Sequence, residues 1–161
     1  MSPEEFTDAL SRFTTGVTIV SVRDERDDVA AVVTSLASVS LRPPLVAISV
    51  DSSSYLDEVL ARRDEWAVSV LGSHQKQLAG RFAASGRPSP RLLLADVPHH
   101  RGPNTDALIV EGGLTALECR TQQRVTVGDH TMVIGEVLAV EYVGFNRSPL
   151  LRYAHAYRNL A

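Results

Sequence analysis

The stretch Thr34-Ser35-Leu36-Ala37-Ser38-Val39-Ser40-Leu41-Arg42-Pro43-Pro44 constrains the fold of this chain more than any other. It lies where two strongly β-forming runs, Val29 to Ser35 and Leu45 to Val50, approach each other in sequence, and the Pro-Pro pair sets an extended start for the second run. Four hydroxyls, those of Thr34, Ser35, Ser38 and Ser40, are thus placed at the meeting point of two core strands and a turn. A buried hydroxyl without a partner costs about 1 to 3 kcal/mol. Two arrangements meet that demand: the side chains bond nearby backbone, as Ser and Thr often do, or they grip a polar, ring-shaped ligand. Local physics leaves both open.

With 161 residues, 44% hydrophobic and 22% charged, the chain has the size and composition of one soluble domain, expected to span 1–161. No apolar run approaches the roughly 20 residues of a transmembrane helix. The opening Met1-Ser2-Pro3-Glu4-Glu5 is polar and acidic, unlike a secretory leader, so a cytoplasmic location is expected. A net charge of −3, with the positive charge scattered, argues against nucleic acid as a partner. The single Cys119 excludes an internal disulfide and reads as a packed apolar residue.

Ser2 to Phe13 carries a helix start, with Ser2 as N-cap, Pro3 first in the helix and Glu5 closing a capping box; Phe6, Leu10 and Phe13 share one face. Val17 to Val22 and Val29 to Ser35 form a hairpin about the charged run Arg23 to Asp28. After the strand Leu45 to Val50, Ser54 caps a helix reaching about Arg63, with Asp57 in the place of the usual capping-box Glu. The helix start, with Ser52 and Ser53, offers backbone N–H groups suited to a phosphate, although Asp51 and Asp57 oppose an anion there. Trp66 to Leu71 is a strand, and Ser73 to Ala83 a short helix with Leu78 and Phe82 inward. Residues 84–105, rich in Ser, Pro, Arg and Gly, are too long for a plain connector. His99-His100 lies there with no metal-ligand spacing beside it, and no metal is assigned. Ala107 to Glu111, Thr115 to Val127 and Thr131 to Val143 are antiparallel strands, with Gly128-Asp129-His130 turning between the long pair. Ser148 to Tyr157, with Ser and Pro at its start, reads as a C-terminal helical turn. The sum is mainly β with flanking helices: a small antiparallel barrel carrying three or four helices.

There is no P-loop, no G-x-G-x-x-G after a strand, and no G-x-S-x-G elbow. Asp129-His130 is not read as an acid–base pair, since neighbours at a strand end point to opposite faces. With no catalytic set visible, the composition suits a protein whose cofactor carries the chemistry.

The segments Gly16-Val-Thr-Ile-Val, Thr34 through Pro44, Trp66-Ala-Val-Ser-Val-Leu, Gln77-Leu-Ala-Gly-Arg-Phe-Ala, Leu117-Glu-Cys, Gly128-Asp-His-Thr-Met-Val-Ile-Gly-Glu-Val and Pro149-Leu-Leu-Arg-Tyr resemble, in this order, segments of the flavin reductase-like, FMN-binding split-barrel family. The resemblance implies an NAD(P)H:flavin oxidoreductase that passes hydride from nicotinamide C4 to flavin N5. It takes FMN or FAD, with NADH or NADPH as co-substrate, works as a homodimer, and supplies reduced flavin to a separate monooxygenase. Residue by residue, it implies that Thr34, Ser35 and Leu36 line the isoalloxazine with Ser38 and Ser40 nearby. Ser52, Ser53, Ser54 and Arg81 would hold the ribityl phosphate, while His130, as the catalytic candidate, and Tyr153 would meet the nicotinamide. Where the family commonly shows Gly-Met-Thr-Ala, this chain has Ala30-Ala31-Val32-Val33. Two rival readings share the resemblance: a flavoprotein with tightly held flavin acting on an organic substrate, and a non-catalytic flavin-binding module.

Overall fold

A computed structural model of the chain describes residues 1–144 and 146–160. Helix α1, Pro3–Ser11, begins at the cap anticipated above: Ser2 Oγ accepts from the Glu5 amide and the Glu5 carboxylate accepts from the Ser2 amide. A two-residue strand β1, Thr15–Gly16, leads to β2, Thr18–Asp24, and β3, Asp27–Val33. The hairpin turn is only Glu25–Arg26, so the charged run is mostly strand, and its Asp28 is buried. The hydroxyl-rich stretch is a strand in its own right, β4, Ala37–Leu41, paired with β5, Pro44–Asp51. Helix α2, Tyr55–Arg62, precedes β6, Glu65–Val70; a 3₁₀ turn at Ser73–Gln75 runs into α3, Lys76–Ala83. Ser54 caps α2 by accepting from the Asp57 amide, but the Asp57 carboxylate turns away to Arg124 at 2.7 Å and closes no capping box.

The segment 84–105 is ordered rather than a bare loop, containing α4, Pro90–Leu93, and β7, His99–Arg101, which pairs with β8, Leu108–Val110. Strands β9, Thr115–Val127, and β10, His130–Glu141, form the long hairpin, turning at Gly128 with φ +60°. The chain closes on β11, Leu151–Tyr153, and β12, Ala156–Arg158.

That last pair corrects the expected helical turn. Ala154 and His155 both adopt left-handed φ, 48° and 59°, the geometry of a two-residue hairpin turn whose twist matches its strands. Pairing decides the outcome: β11 binds β1 on one side and β12 on the other, and the Ala154 amide donates to the Ser11 carbonyl. A local Ser-Pro start is worth too little to displace that ladder.

Seven strands form one antiparallel sheet in the order β3-β2-β6-β9-β10-β5-β4. Irregularities in the β9–β10 ladder at Ile134/Gly135 and Val137/Ala139 increase its twist, and the sheet curls until β3 approaches β5. The two strands share no ladder, so the barrel is split along their seam. Inside lie Val20, Val22, Ile48, Trp66, Val68, Cys119 and Val133, closed at one end by Leu56, Val59 and Leu60 of α2. Gly135 is required here: a Cβ would sit 2.5 Å from the ring of Trp66, which is wholly buried and tied to Thr121 through its indole N–H. Cys119 packs as expected, and burial pushes its thiol up to about 12. A second cluster, with Val17, Leu71, Leu78, Phe82 and Leu94, seats α3 and α4 on the outside of the sheet. Helix α1 buries nothing and stops at Ser11, short of the expected Phe13; Phe6 and Leu10 on it and Phe13 just beyond it are 52%, 49% and 72% exposed. No helix among the described residues is long and apolar enough to cross a membrane.

Candidate functional site

The seam between β3 and β5 opens into a cleft of about 640 Å³, a size typical of cofactor sites. One wall is β3 and the residues after it, Val29 to Ser35. The other is Ser49 to Asp51 of β5 with the start of α2 at Ser54, Tyr55 and Leu56. His130 and Arg87 complete it.

What the cleft can bind follows from its strand edge. Strand β3 pairs only with β2, so every second residue turns its backbone groups outward. The Ala30 carbonyl is one of these, because it accepts from Arg87 Nη2 at 3.1 Å; the two-residue period places the amide and carbonyl of Val32 on the same open side. The Val32 amide and carbonyl, beside small alanine side chains, suit a flat heterocycle with polar edges. The Thr34 hydroxyl, half-buried at the end of this edge, has no partner among the described residues. Ser35 is different: its Oγ donates to the Ser49 carbonyl and accepts from the Ser49 amide, both at 2.9 Å. It stitches β3's continuation to β5 and fixes the cleft's width at that end.

His130 and Asp129 do meet, contrary to the strand-end expectation. Nδ1 of His130 lies 2.7 Å from Asp129 Oδ1. Asp129 belongs to the turn rather than the strand, and the positive φ of Gly128 frees it from strict alternation. Since a carboxylate only accepts, Nδ1 is the donor in this contact and Nε2 is left facing away from Asp129. His130 is also the cross-strand partner of Asp51. Ser53, through its hydroxyl and its amide, holds the Asp51 carboxyl below its ordinary range, so this side of the cleft carries a negative charge.

Of the residues singled out from sequence, the cleft gathers Thr34, Ser35, Ser54 and His130. Leu36 packs into the barrel core. Ser38 and Ser40 lie on β4, opposite Val46 and Leu45 of β5. Ser52 shares a hydrogen bond with Thr131, and Ser53 is committed to Asp51. Arg81 lies 3.6 Å from Asp96 in a separate depression with His74 and Gln77, and Tyr153 is on β11. Arg87, Tyr55, Ser49 and Asp51 were not anticipated as lining residues. Arg87 had no local signal, being one arginine in a segment with several.

The segment that delivers Arg87 is pinned at several points. Arg91 and Arg101 bind the buried Asp28 at 2.7 to 2.9 Å. His100, for which no carboxylate was expected, stands between Glu111 and Glu141, each at 2.9 Å. Burial works against charging that imidazole, but Glu141 and Glu111 outweigh it and raise its pKa.

A curled antiparallel sheet, split along one seam and presenting unpaired strand edge to a cleft, defines a split-barrel protein. The chain belongs to the flavin reductase like domain family, which matches residues 10–161. It is 34% identical to the reductase component of 4-hydroxyphenylacetate 3-monooxygenase from Thermus thermophilus, over 98% of this chain and 96% of that one. It is also 34% identical to the NADH-dependent FMN reductase AsuE2 of Streptomyces nodosus subsp. asukaensis, over 97% and 84%. Among solved structures, BorF, the flavin reductase component of a bacterial two-component tryptophan halogenase, superposes with a TM-score of 0.92 at 29% identity, over 99% and 98%. The NADH:FAD oxidoreductase SgcE6 of Streptomyces globisporus, solved with NAD and FAD fragments, gives 0.91 at 29% identity, over 100% and 96%.

Proposed function

We propose that residues 1–161 form a single NAD(P)H-dependent flavin reductase domain that takes FMN or FAD in the β3–β5 seam and delivers reduced flavin to a separate monooxygenase. The observation that carries this reading is the unpaired outer edge of β3 facing a cofactor-sized cleft. The cleft residues fit a flavin: the backbone amide and carbonyl of Val32 for the polar ring edge, the Thr34 hydroxyl at its end, and small side chains that let the ring approach. Bound flavin would supply the two-electron chemistry, accepting hydride from the nicotinamide. The chain's own residues orient and shield. Strand β3 fixes the ring plane, Ser35 holds the seam at its width, and Asp129 fixes the direction of His130. His130, at the cleft, positions the nicotinamide; Tyr153, on β11, is not among the lining residues and is given no part in the cleft. Leu36, Ser38, Ser40, Ser52, Ser53 and Arg81 are then supports of the seam or contacts completed by a second protomer.

Purified protein given NADH or NADPH is expected to oxidise it only when FMN or FAD is added. Absence of turnover with every combination would remove the reductase. In the same assay His130→Ala should raise KM for the nicotinamide about tenfold while flavin affinity stays within about twofold; equal loss of both would end the positioning role. A homodimer accords with the uncovered apolar side chains of Phe6 and Leu10 on α1 and of Phe13 just after it. Sedimentation equilibrium should give twice 17.5 kDa, and the monomer mass would exclude it.

A further inference from the structure

We propose that His100 is a proton-operated latch: as an imidazolium bridging Glu111 and Glu141 it fastens the segment 84–101 to the main sheet, and its deprotonation slackens that segment and the cleft wall it supplies. Geometry carries this. Nδ1 stands 2.9 Å from Glu111 Oε1, and Nε2 stands 2.9 Å from Glu141 Oε2. An ionised carboxylate only accepts, so both contacts are satisfied only when both ring nitrogens donate, and imidazole has two N–H groups only as a cation. Loss of the proton turns a lone pair on one of the carboxylates. Because the carboxylates face opposite nitrogens, the three side chains cannot converge on one metal ion. Position gives the bridge its leverage. His100 is the middle residue of β7, which pairs only with β8 in a sheet of its own, whereas Glu141 ends β10 of the seven-stranded sheet. The same segment carries α4 and, before it, Arg87, which borders the cleft and donates to the Ala30 carbonyl.

The surroundings of the ring set the direction of the switch. On its own strand, Arg101 is taken up by Asp28, and His99 is bonded to the Val97 carbonyl. Across the ladder stands the apolar Ile109, and behind β8 the hydroxyls of Ser21 and Ser69 serve its backbone. Glu111 borders a depression shared with His74, Arg81 and Asp96, the last two 3.6 Å apart. At the other end Ala116 lies opposite Glu141, whose carbonyl accepts from the Thr115 hydroxyl. Burial opposes the charge on His100 most, yet Glu141 and Glu111 together prevail and raise its pKa. A histidine raised in the folded state gives its full stabilisation below its unfolded value, about 6.5, and loses it as pH rises through the folded value. The latch is therefore shut in acid and opens on the alkaline side of the ordinary histidine range. Two further ties of the segment, from Arg91 and Arg101 to Asp28, persist through this range: burial would raise the Asp28 carboxyl, but those arginines hold it below its ordinary value. Opening is thus a loosening of one segment and leaves the barrel intact.

Hydrogen exchange over residues 84–101 of the full chain, compared between proteins at the same pH, tests the latch. In Glu141→Gln the new amide donates to Nε2 of a neutral ring whose Nδ1–H still reaches Glu111, so this variant stays shut whatever the pH. At about pH 9 wild type is expected to exchange in the segment about threefold to tenfold faster than Glu141→Gln. At about pH 6 the two should agree within about twofold, with His100→Ala faster than both. Equal exchange by wild type and Glu141→Gln in alkali, wild-type protection in His100→Ala in acid, or an alkaline difference shared by the β5 core would each overturn the latch. The consequence for the cleft rests on the flavin reading above and is read separately, by quenching of FMN fluorescence at about pH 9. Wild type should bind FMN at least about threefold more weakly than Glu141→Gln, and equal affinities would overturn the coupling of latch to cleft. If FMN binds neither protein at either pH, the flavin reading falls, while exchange still decides the latch.

Discussion

Replacing Asp28 with alanine is expected to destabilise the protein by about 3 to 5 kcal/mol, the cost of removing one member of a buried charge cluster. The side chain is wholly covered and faces three arginines: a two-pronged pair from Arg101 at 2.8 and 2.9 Å, Arg91 Nε at 2.7 Å, and Arg23 at 3.3 Å. Without the carboxylate, three cations crowd one place with only the exposed Asp106, 3.7 Å from Arg23 and 3.9 Å from Arg101, left to balance them. The cluster joins β2, β3, α4 and β7, so its loss should also release the segment that presents Arg87. Urea denaturation measures the first effect, and hydrogen exchange over residues 84–101 the second. A loss below about 1 kcal/mol would show that the arginines are solvated independently. Burial alone would raise the Asp28 pKa, but the hydrogen bonds from Arg101 and Arg91 outweigh it, and the net direction is down. A carboxyl depressed in the folded state gives its full stabilisation above its unfolded pKa near 3.9 and loses it as pH falls through the lower folded value. Wild-type stability should therefore decline below about pH 4, and Asp28→Ala should flatten that decline.

Glu118→Ala is expected to cost about 3 kcal/mol. This carboxylate on β9 is buried and accepts four hydrogen bonds: from the Asn104 amide at 2.9 Å and side chain at 2.8 Å, and from the Thr105 amide and hydroxyl, both at 2.8 Å. It holds the turn before β8 as a bound anion would. Alanine leaves buried N–H groups unpaired, each at about 1 to 3 kcal/mol before relaxation. Glu118→Gln keeps the shape but must present an NH₂ to one of these donors, and should recover only part of the loss. Burial opposes the charge here too, and the Asn104 and Thr105 donors prevail, lowering the pKa. Its contribution is likewise present above the unfolded value near 4.3 and lost on acidification. A Glu118→Ala protein with the wild-type urea midpoint would mean that water replaces the carboxylate.

The legible features were those decided within a few residues. Ser2 and Ser54 cap their helices because a hydroxyl reaches an amide three positions on, whatever lies beyond. The β9–β10 hairpin could be read from two long alternating runs about Gly128. The family was legible because its segments recur in order over nearly the whole chain. Asp57 was misread as a capping residue because its true partner, Arg124, is distant in sequence. The C-terminal hairpin was misread because a Ser-Pro start is visible locally, whereas the strand partner at Thr15–Gly16 is not.

Sequence alone determined that this chain is mainly β, where most of its strands run, and that hydroxyls gather between two of them; alternation and capping are short-range, so they survive without knowledge of the fold. Tertiary structure alone decided that the barrel stops short of closure between β3 and β5, that Arg87 reaches the opening, and that Asp28 collects three arginines. Those outcomes depend on how the accumulated twist of seven strands brings remote residues together, a sum that no single stretch of sequence contains.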